Sequence, residues 1–348
     1  MSIGPESSIL TGQRHTVSYV GDTGDEATAS VHVLDHGDPT DPAVILLSGL
    51  ALAWFDWQDV TLALGNDHRV LVLDRAGSGL SGPAPFSAGS SLADEVEVVC
   101  QILDQYGIER ATIAGHSMGG LIAEALGRRH PDRCEAIVLL DTSYEDAKDS
   151  DWPDNPPPGD RGEQLDEPRS QELPDTGSMA SLRERLAAAN VPLPALTELM
   201  TRQARSILTS SPTVARLVAA IRTHTKGAPL ASAKRADELR VSRAVFTRKH
   251  ILEGMVREYR SYDAWITELE ELRKATRMPV PWLIVAARGN PKFVSDRWVR
   301  KLERLADGLR AENPDVSGRF EVVRASHMLM RDVPDEVAAL IVDPQGTP

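Results

Sequence analysis

Cysteine is nearly missing from this sequence: Cys100 and Cys134 are the two in 348 residues. They lie far apart and in no ligand spacing, which argues against a disulfide framework and against a structural zinc site. Neither borders a glycine turn, so both read as buried thiols rather than nucleophiles. Basic residues are also short. Lys and Arg number 38 against 51 Asp and Glu, for a formal charge of −13, a balance that argues against a nucleic-acid footprint. Long hydrophobic runs are lacking, and the longest apolar stretches fall far short of a membrane span. The opening residues, Met1-Ser2-Ile3-Gly4-Pro5-Glu6, show no basic segment leading into an apolar one, so no signal peptide is expected. The expectation is a soluble, cytoplasmic protein whose partner is a small molecule. Oligomeric state is not legible.

What is present is enough apolar content, 41%, for one large α/β core or two smaller domains. Residues 15–20 and 29–34 alternate about a Gly/Asp-rich turn and read as a leading antiparallel pair. Ala43–Leu47 and Arg69–Leu73 are apolar runs of the kind found in strands covered on both faces. Leu92–Tyr106 carries Val96, Val99, Ile102, Leu103 and Tyr106 at helical spacing. Ala111–Ala114 and Glu135–Leu140 are further strands, with a helix between them stopped at His130-Pro131. From Tyr144 to about Thr176 the chain is acidic and Pro-rich and reads as a loop. Residues 179–190, 194–209, 212–224 and a long stretch from 241 to 275 follow helical patterns. Alternation resumes with a strand at 280–287, a helix over 295–312, a strand at 319–323 and a terminal helix over 334–342.

Eight strands alternating with helices predict an α/β fold: a mostly parallel sheet with helices on both faces and an inserted helical segment. The expected division is a core over 1–144, an insertion over 145–277, and the rest of the core over 278–348. Ligands on such sheets bind at the carboxyl ends of the strands.

The central motif is Gly115-His116-Ser117-Met118-Gly119. Chance alone produces G-x-S-x-G in roughly a tenth of chains this long, so a plain Gly/Ser turn is the competing reading. Context favours a nucleophile elbow, because a strand precedes the motif and a helix follows it. A serine hydroxyl needs a base. His327 follows the last strand at a carboxyl end, whereas His15, His32, His36, His68, His130, His224 and His250 sit in leading strands, at the wrong sheet end, or on helices. A second glycine pattern, Gly77-x-Gly79-x-x-Gly82, formally matches a dinucleotide fingerprint. Pro83 and Pro85 follow it where a helix must open, so it reads as a Gly-rich loop.

With these residues in place the chain resembles the α/β-hydrolase superfamily over 43–145 and 278–342. Asp74-Arg75-x-Gly77-x-Gly79-x-Ser81 is similar to that superfamily's D-x-x-G-x-G-x-S loop, and the helical insertion sits where such enzymes carry a cap. The resemblance implies acyl transfer to Ser117, then hydrolysis by water activated through His327, with no metal and no cofactor. It implies an oxyanion hole formed by the backbone N–H groups of Leu50 and Met118. Two positions depart from the common pattern. The loop after the third strand begins Ser48-Gly49 in place of His-Gly, and Asn290 stands where the acid behind the histidine is often found. Asp141, at the end of the sixth strand, is the leading acid and Asp296 the second candidate. Trp54 and Phe55, in the oxyanion loop, are candidate lining for an acyl pocket.

These residues favour a serine hydrolase acting on a small, moderately hydrophobic carboxylic ester, thioester or lactone. Serine rather than aspartate at the elbow argues against epoxide hydrolase and haloalkane dehalogenase chemistry, which pass through an alkyl ester on a carboxylate. A lyase or cyclase on the same fold, or a ligand-binding protein, are the competing functions.

Overall fold

Apolar runs become the interior of the sheet, because a parallel strand covered on both faces has no polar side to show. In the computed structural model the described residues are 9–346, apart from 22–23, 87–88, 145–231, 247 and 290–291. They form eight strands: β1 (Gln13–Val20), β2 (Glu26–His36), β3 (Ala43–Leu47), β4 (Arg69–Asp74), β5 (Ala111–His116), β6 (Cys134–Leu140), β7 (Trp282–Ala287) and β8 (Gly318–Val323). Their order in one sheet is β1-β2-β4-β3-β5-β6-β7-β8. β1 and β2 pair antiparallel, as does β2 with β4, and every later pairing is parallel. The central strands β3, β5 and β6 thus end side by side at one edge.

Successive residues of each strand face opposite sides, and the core divides accordingly. Ile45, Leu47, Leu71, Ile113, Ile137, Leu139 and Ile284 face one cluster, which also holds apolar residues of α2 (Leu92–Gln105), α3 (Met118–Arg129), α5 (Lys249–Ala275) and α6 (Lys292–Glu312). Val44, Leu46, Val70, Val72, Ala114, Val138 and Leu283 face the other cluster. There they meet the 3₁₀ turn Trp54–Trp57, α1 (Gln58–Leu64), α4 (Ser232–Phe246), α7 (Leu329–Asp332) and α8 (Pro334–Val342). The helix expected from residue 295 begins at Lys292, and the terminal helix lies where the sequence places it.

The expected single stretch from 241 to 275 is two helices, α4 and α5, parted at Arg248, which is extended (φ −79°, ψ 131°). Phe246 and Ile251 are both buried in the second cluster. Five residues apart on a continuous helix they would point about 140° away from each other, so the break lets both reach the core. Described residues of the expected insertion thus share the core: Trp265, Ile266 and Leu269 lie in the first cluster, and Val241 and Val245 in the second. The expected acidic loop from 145 onward and the expected helices at 179–190, 194–209 and 212–224 lie outside the described residues.

Candidate active site

The turn from β5 into α3 is too tight for side chains at its flanks. A Cβ on Gly115 would strike the main chain of Gly119 and Gly120, and one on Gly119 would strike the carbonyls of Leu47 and Ser48. Between them Ser117 takes a left-handed backbone (φ 52°, ψ −120°), an arrangement that non-glycine residues rarely adopt. The strain is held from several sides. Ser117 N–H donates to the Leu140 carbonyl at 3.1 Å, and the N–H groups of Gly120 and Ser143 donate to the Ser117 carbonyl at 3.0 Å each. Ser117 therefore stands at the tip of a locked elbow, beside the first amide of α3, that of Met118. The opening N–H groups of a helix have no carbonyl partner within it and carry its positive dipole end.

The loop after β3 lies against this elbow. A Cβ on Gly49 would come within 3.0 Å of Ser117 Cβ and 2.9 Å of His116 Nδ1. Trp57 Nε1–H donates to Ser48 Oγ at 3.0 Å. Arg75, in the loop after β4, donates through Nη1 to the Ser48 carbonyl and through Nη2 to that of Gly49, the latter at 3.1 Å. The hold that an initial histidine would give this loop is supplied here by a tryptophan and an arginine.

His327 follows β8, and two contacts bring it to the elbow. His116 Nε2–H donates to the His327 carbonyl at 2.7 Å, and the two rings lie 4.6 Å apart between centroids. Burial, and then the neighbouring His327, hold the His116 imidazole well below the ordinary histidine pKa. His327 Nδ1 lies 2.6 Å from Asp141 Oδ2. Asp141 is buried, and its other oxygen, Oδ1, accepts from Ala287 N–H at 2.9 Å and from Trp298 Nε1–H at 2.7 Å. A carboxylate with its lone pairs so engaged is fixed in direction and its charge is supported.

Of the sequence candidates, Ser117, His327, Asp141, Leu50 and Met118 are thus gathered at the carboxyl ends of the strands. Asp296 is not among them: its carboxylate pairs with Arg288 at 3.1 Å on a half-exposed surface. Asn290 lies outside the described residues. Trp54 lies in the second core cluster. It is 0% exposed, its indole N–H donates to the Leu10 carbonyl at 2.7 Å, and its ring stands edge-on to His32. Phe55 is also buried, edge-on to Phe246 of α4 at 6.5 Å. The sequence reading passed over His116, Arg75 and Trp298. Arg75 carried a signal, its place in the D-R-x-G-x-G-x-S loop. His116 stood inside the elbow motif itself, and Trp298 offered none beyond its helix.

Comparison with known proteins accords with the fold. The profile of the α/β hydrolase fold matches residues 42–180. Epoxide hydrolase B of Mycobacterium tuberculosis is 32% identical over 108 residues, which are 31% of this chain and 30% of that protein. The chain therefore spans about a third of the length of that relative. Among solved structures, Cfl2 of Burkholderia cenocepacia superposes with a TM-score of 0.59 at 19% identity, covering 99% of this chain and 98% of that one. The enol-lactonase of Burkholderia xenovorans LB400 gives a TM-score of 0.58 at 18% identity, covering 94% and 98%. Among the described residues no helix is long and apolar enough to cross a membrane.

Proposed function

This chain belongs to the α/β-hydrolase superfamily, and from that premise we propose that it is a serine hydrolase cleaving a small, moderately hydrophobic carboxylic ester, thioester or lactone through an acyl-enzyme on Ser117. The observation that carries the reading is the bond between His327 Nδ1 and Asp141 Oδ2, 2.6 Å long, beside a strained serine elbow. With Nδ1 engaged as a donor, Nε2 is the basic nitrogen of the ring.

The steps follow from these positions. Ser117 Oγ attacks the substrate carbonyl carbon while its proton passes to His327 Nε2. The carbonyl oxygen becomes an oxyanion and accepts from the N–H groups of Leu50 and Met118. Asp141 supports the imidazolium that forms. Collapse of the tetrahedral intermediate breaks the bond to the alcohol, which leaves with the proton from His327. Water then repeats the sequence on the acyl-serine, releasing the acid. Leu50 and Met328, half-buried and apolar, favour a moderately hydrophobic group at the site.

Serine at the elbow also separates this chemistry from epoxide opening. An epoxide carbon attacked by Ser117 would become an ether, which water cannot cleave as it cleaves an ester. The expected result with a fluorophosphonate probe is covalent labelling of the wild-type protein and none of Ser117→Ala. A folded protein that resists the probe while Ser117→Ala changes no activity would overturn the proposal. A chain-length series of p-nitrophenyl esters identifies the acyl group that fits.

A further inference from the structure

Arg75 is 4% exposed, and a buried guanidinium has to be paired and hydrogen-bonded to be tolerated. Its carboxylate partner is Glu258 on α5, whose Oε1 accepts from Nε at 2.8 Å. Nη2 also lies 2.8 Å from that oxygen, and Nη1 and Nη2 donate to the Ser48 and Gly49 carbonyls, the two residues that lead into Leu50.

The geometry points to Arg75 as a positioning residue for the oxyanion hole, anchored in turn by Glu258. The Gly49 carbonyl and the Leu50 N–H belong to one planar peptide unit, and in a trans unit they point in opposite directions. An arginine fork on the carbonyl side therefore aims the N–H away from itself. The loop has its elbow contact at the same place, since Gly49 leaves no room for a Cβ between it and Ser117. The charged donor also polarises the peptide and strengthens its N–H as a donor, as chained hydrogen bonds do. The second bond, to the Ser48 carbonyl, fixes the preceding peptide, and Trp57 fixes the Ser48 side chain. Ala51, next in the chain, is left-handed at φ 58°, a conformation that costs energy and persists only when its surroundings impose it. Arg75 stands behind the loop and acts on the substrate through the Leu50 amide.

The inference rests on the serine hydrolase reading, because only a developing oxyanion makes the direction of Leu50 N–H matter. Its test is the double variant R75M/E258M, in which both charges leave together so that neither is stranded; such buried replacements are often neutral to stability. The expected kcat on the best p-nitrophenyl ester is roughly tenfold to a hundredfold lower, with KM within about twofold of wild type. The rate of fluorophosphonate labelling falls in parallel, since the phosphonyl oxygen occupies the oxyanion position. R75K provides the second arm. It keeps the positive charge opposite Glu258 but replaces the planar fork with a single ammonium head, and it too is expected to lower kcat with KM retained. Should the double variant fail to fold, R75K alone decides.

A folded R75K with wild-type kcat and labelling rate overturns the assignment, and so does a loss expressed wholly in KM. A wild-type protein that the probe never labels is a different failure. It removes the serine hydrolase reading itself, and the role of Arg75 with it.

Discussion

Three described residues other than glycine have a left-handed backbone: Ala51 at φ 58°, Ser117 at 52° and Asp141 at 44°. All three stand at the carboxyl ends of β3, β5 and β6, around one point. Such conformations cost on the order of 1–3 kcal/mol each, so their convergence marks where the fold spends stability on position. Asp141 offers a clean substitution, because asparagine tolerates the left-handed region and Asp141→Asn leaves the turn intact. Aspartate accepts three N–H groups, from Ala287, Trp298 and His327. Asparagine has one oxygen for the first two and presents an NH₂ to His327 Nδ1. That forces the proton onto Nε2, the tautomer that cannot take one from serine. The expected loss in kcat is about 10⁴, the cost of the same tautomer error in a serine protease, while Asn290→Ala changes kcat little. The reverse ranking in steady-state assays would move the acid away from Asp141.

The elements around the site are strapped together by α5. Its Glu268 accepts from Leu92 N–H and Ala93 N–H at 2.8 and 2.9 Å, capping α2 from outside the helix. Its Arg273 donates to both oxygens of Glu124 on α3, and its Glu258 meets Arg75. Burial by itself would raise the Glu124 pKa, but Arg273 and then Arg128 bring it down to about 2.

Glu95 on α2 goes the other way. Burial lifts it to about 7 against the opposing pull of the Ser90 hydroxyl and Arg75, with the Glu258 and Asp94 carboxylates adding to the rise. Its folded pKa therefore exceeds the ordinary 4.5, so its contribution is intact below that pH and is lost as pH rises through about 7. Above pH 8 the loss is on the order of 3 kcal/mol. Glu95→Gln, which keeps an oxygen for Ser90, is expected to melt at a higher temperature than wild type at pH 8. Its Tm should also vary less between pH 5 and pH 8. An unchanged pH slope in thermal melts would show that Glu95 bears no such penalty.

Across the whole molecule, what depends on local pattern was legible in the sequence. Ala43–Leu47 reads as a doubly covered strand because every residue is apolar, and the elbow reads as an elbow because its glycines, strand and helix are contiguous. What depends on meetings between distant residues was not. The bond from Arg75 to Glu258 spans 183 positions and that from His116 to His327 spans 211, and no periodicity encodes either. Trp54 is placed by meetings of the same kind: its backbone N–H donates to Asp74 Oδ1 at 2.8 Å and its indole N–H to the Leu10 carbonyl at 2.7 Å. The break at Arg248 was hidden as well, because both flanking helices are good helix formers and only the core decides that Phe246 and Ile251 must face the same way.

The family sets the frame, and covalent catalysis at Ser117 is the claim on which the proposed function stands. Intact-mass measurement of the wild-type protein quenched during turnover of a p-nitrophenyl ester tests it directly. The expected spectrum shows one added acyl group, located by peptide mapping to the segment containing Ser117 and absent from Ser117→Ala. Turnover with no adduct, persisting in Ser117→Ala, would contradict it and point to direct general-base chemistry at His327.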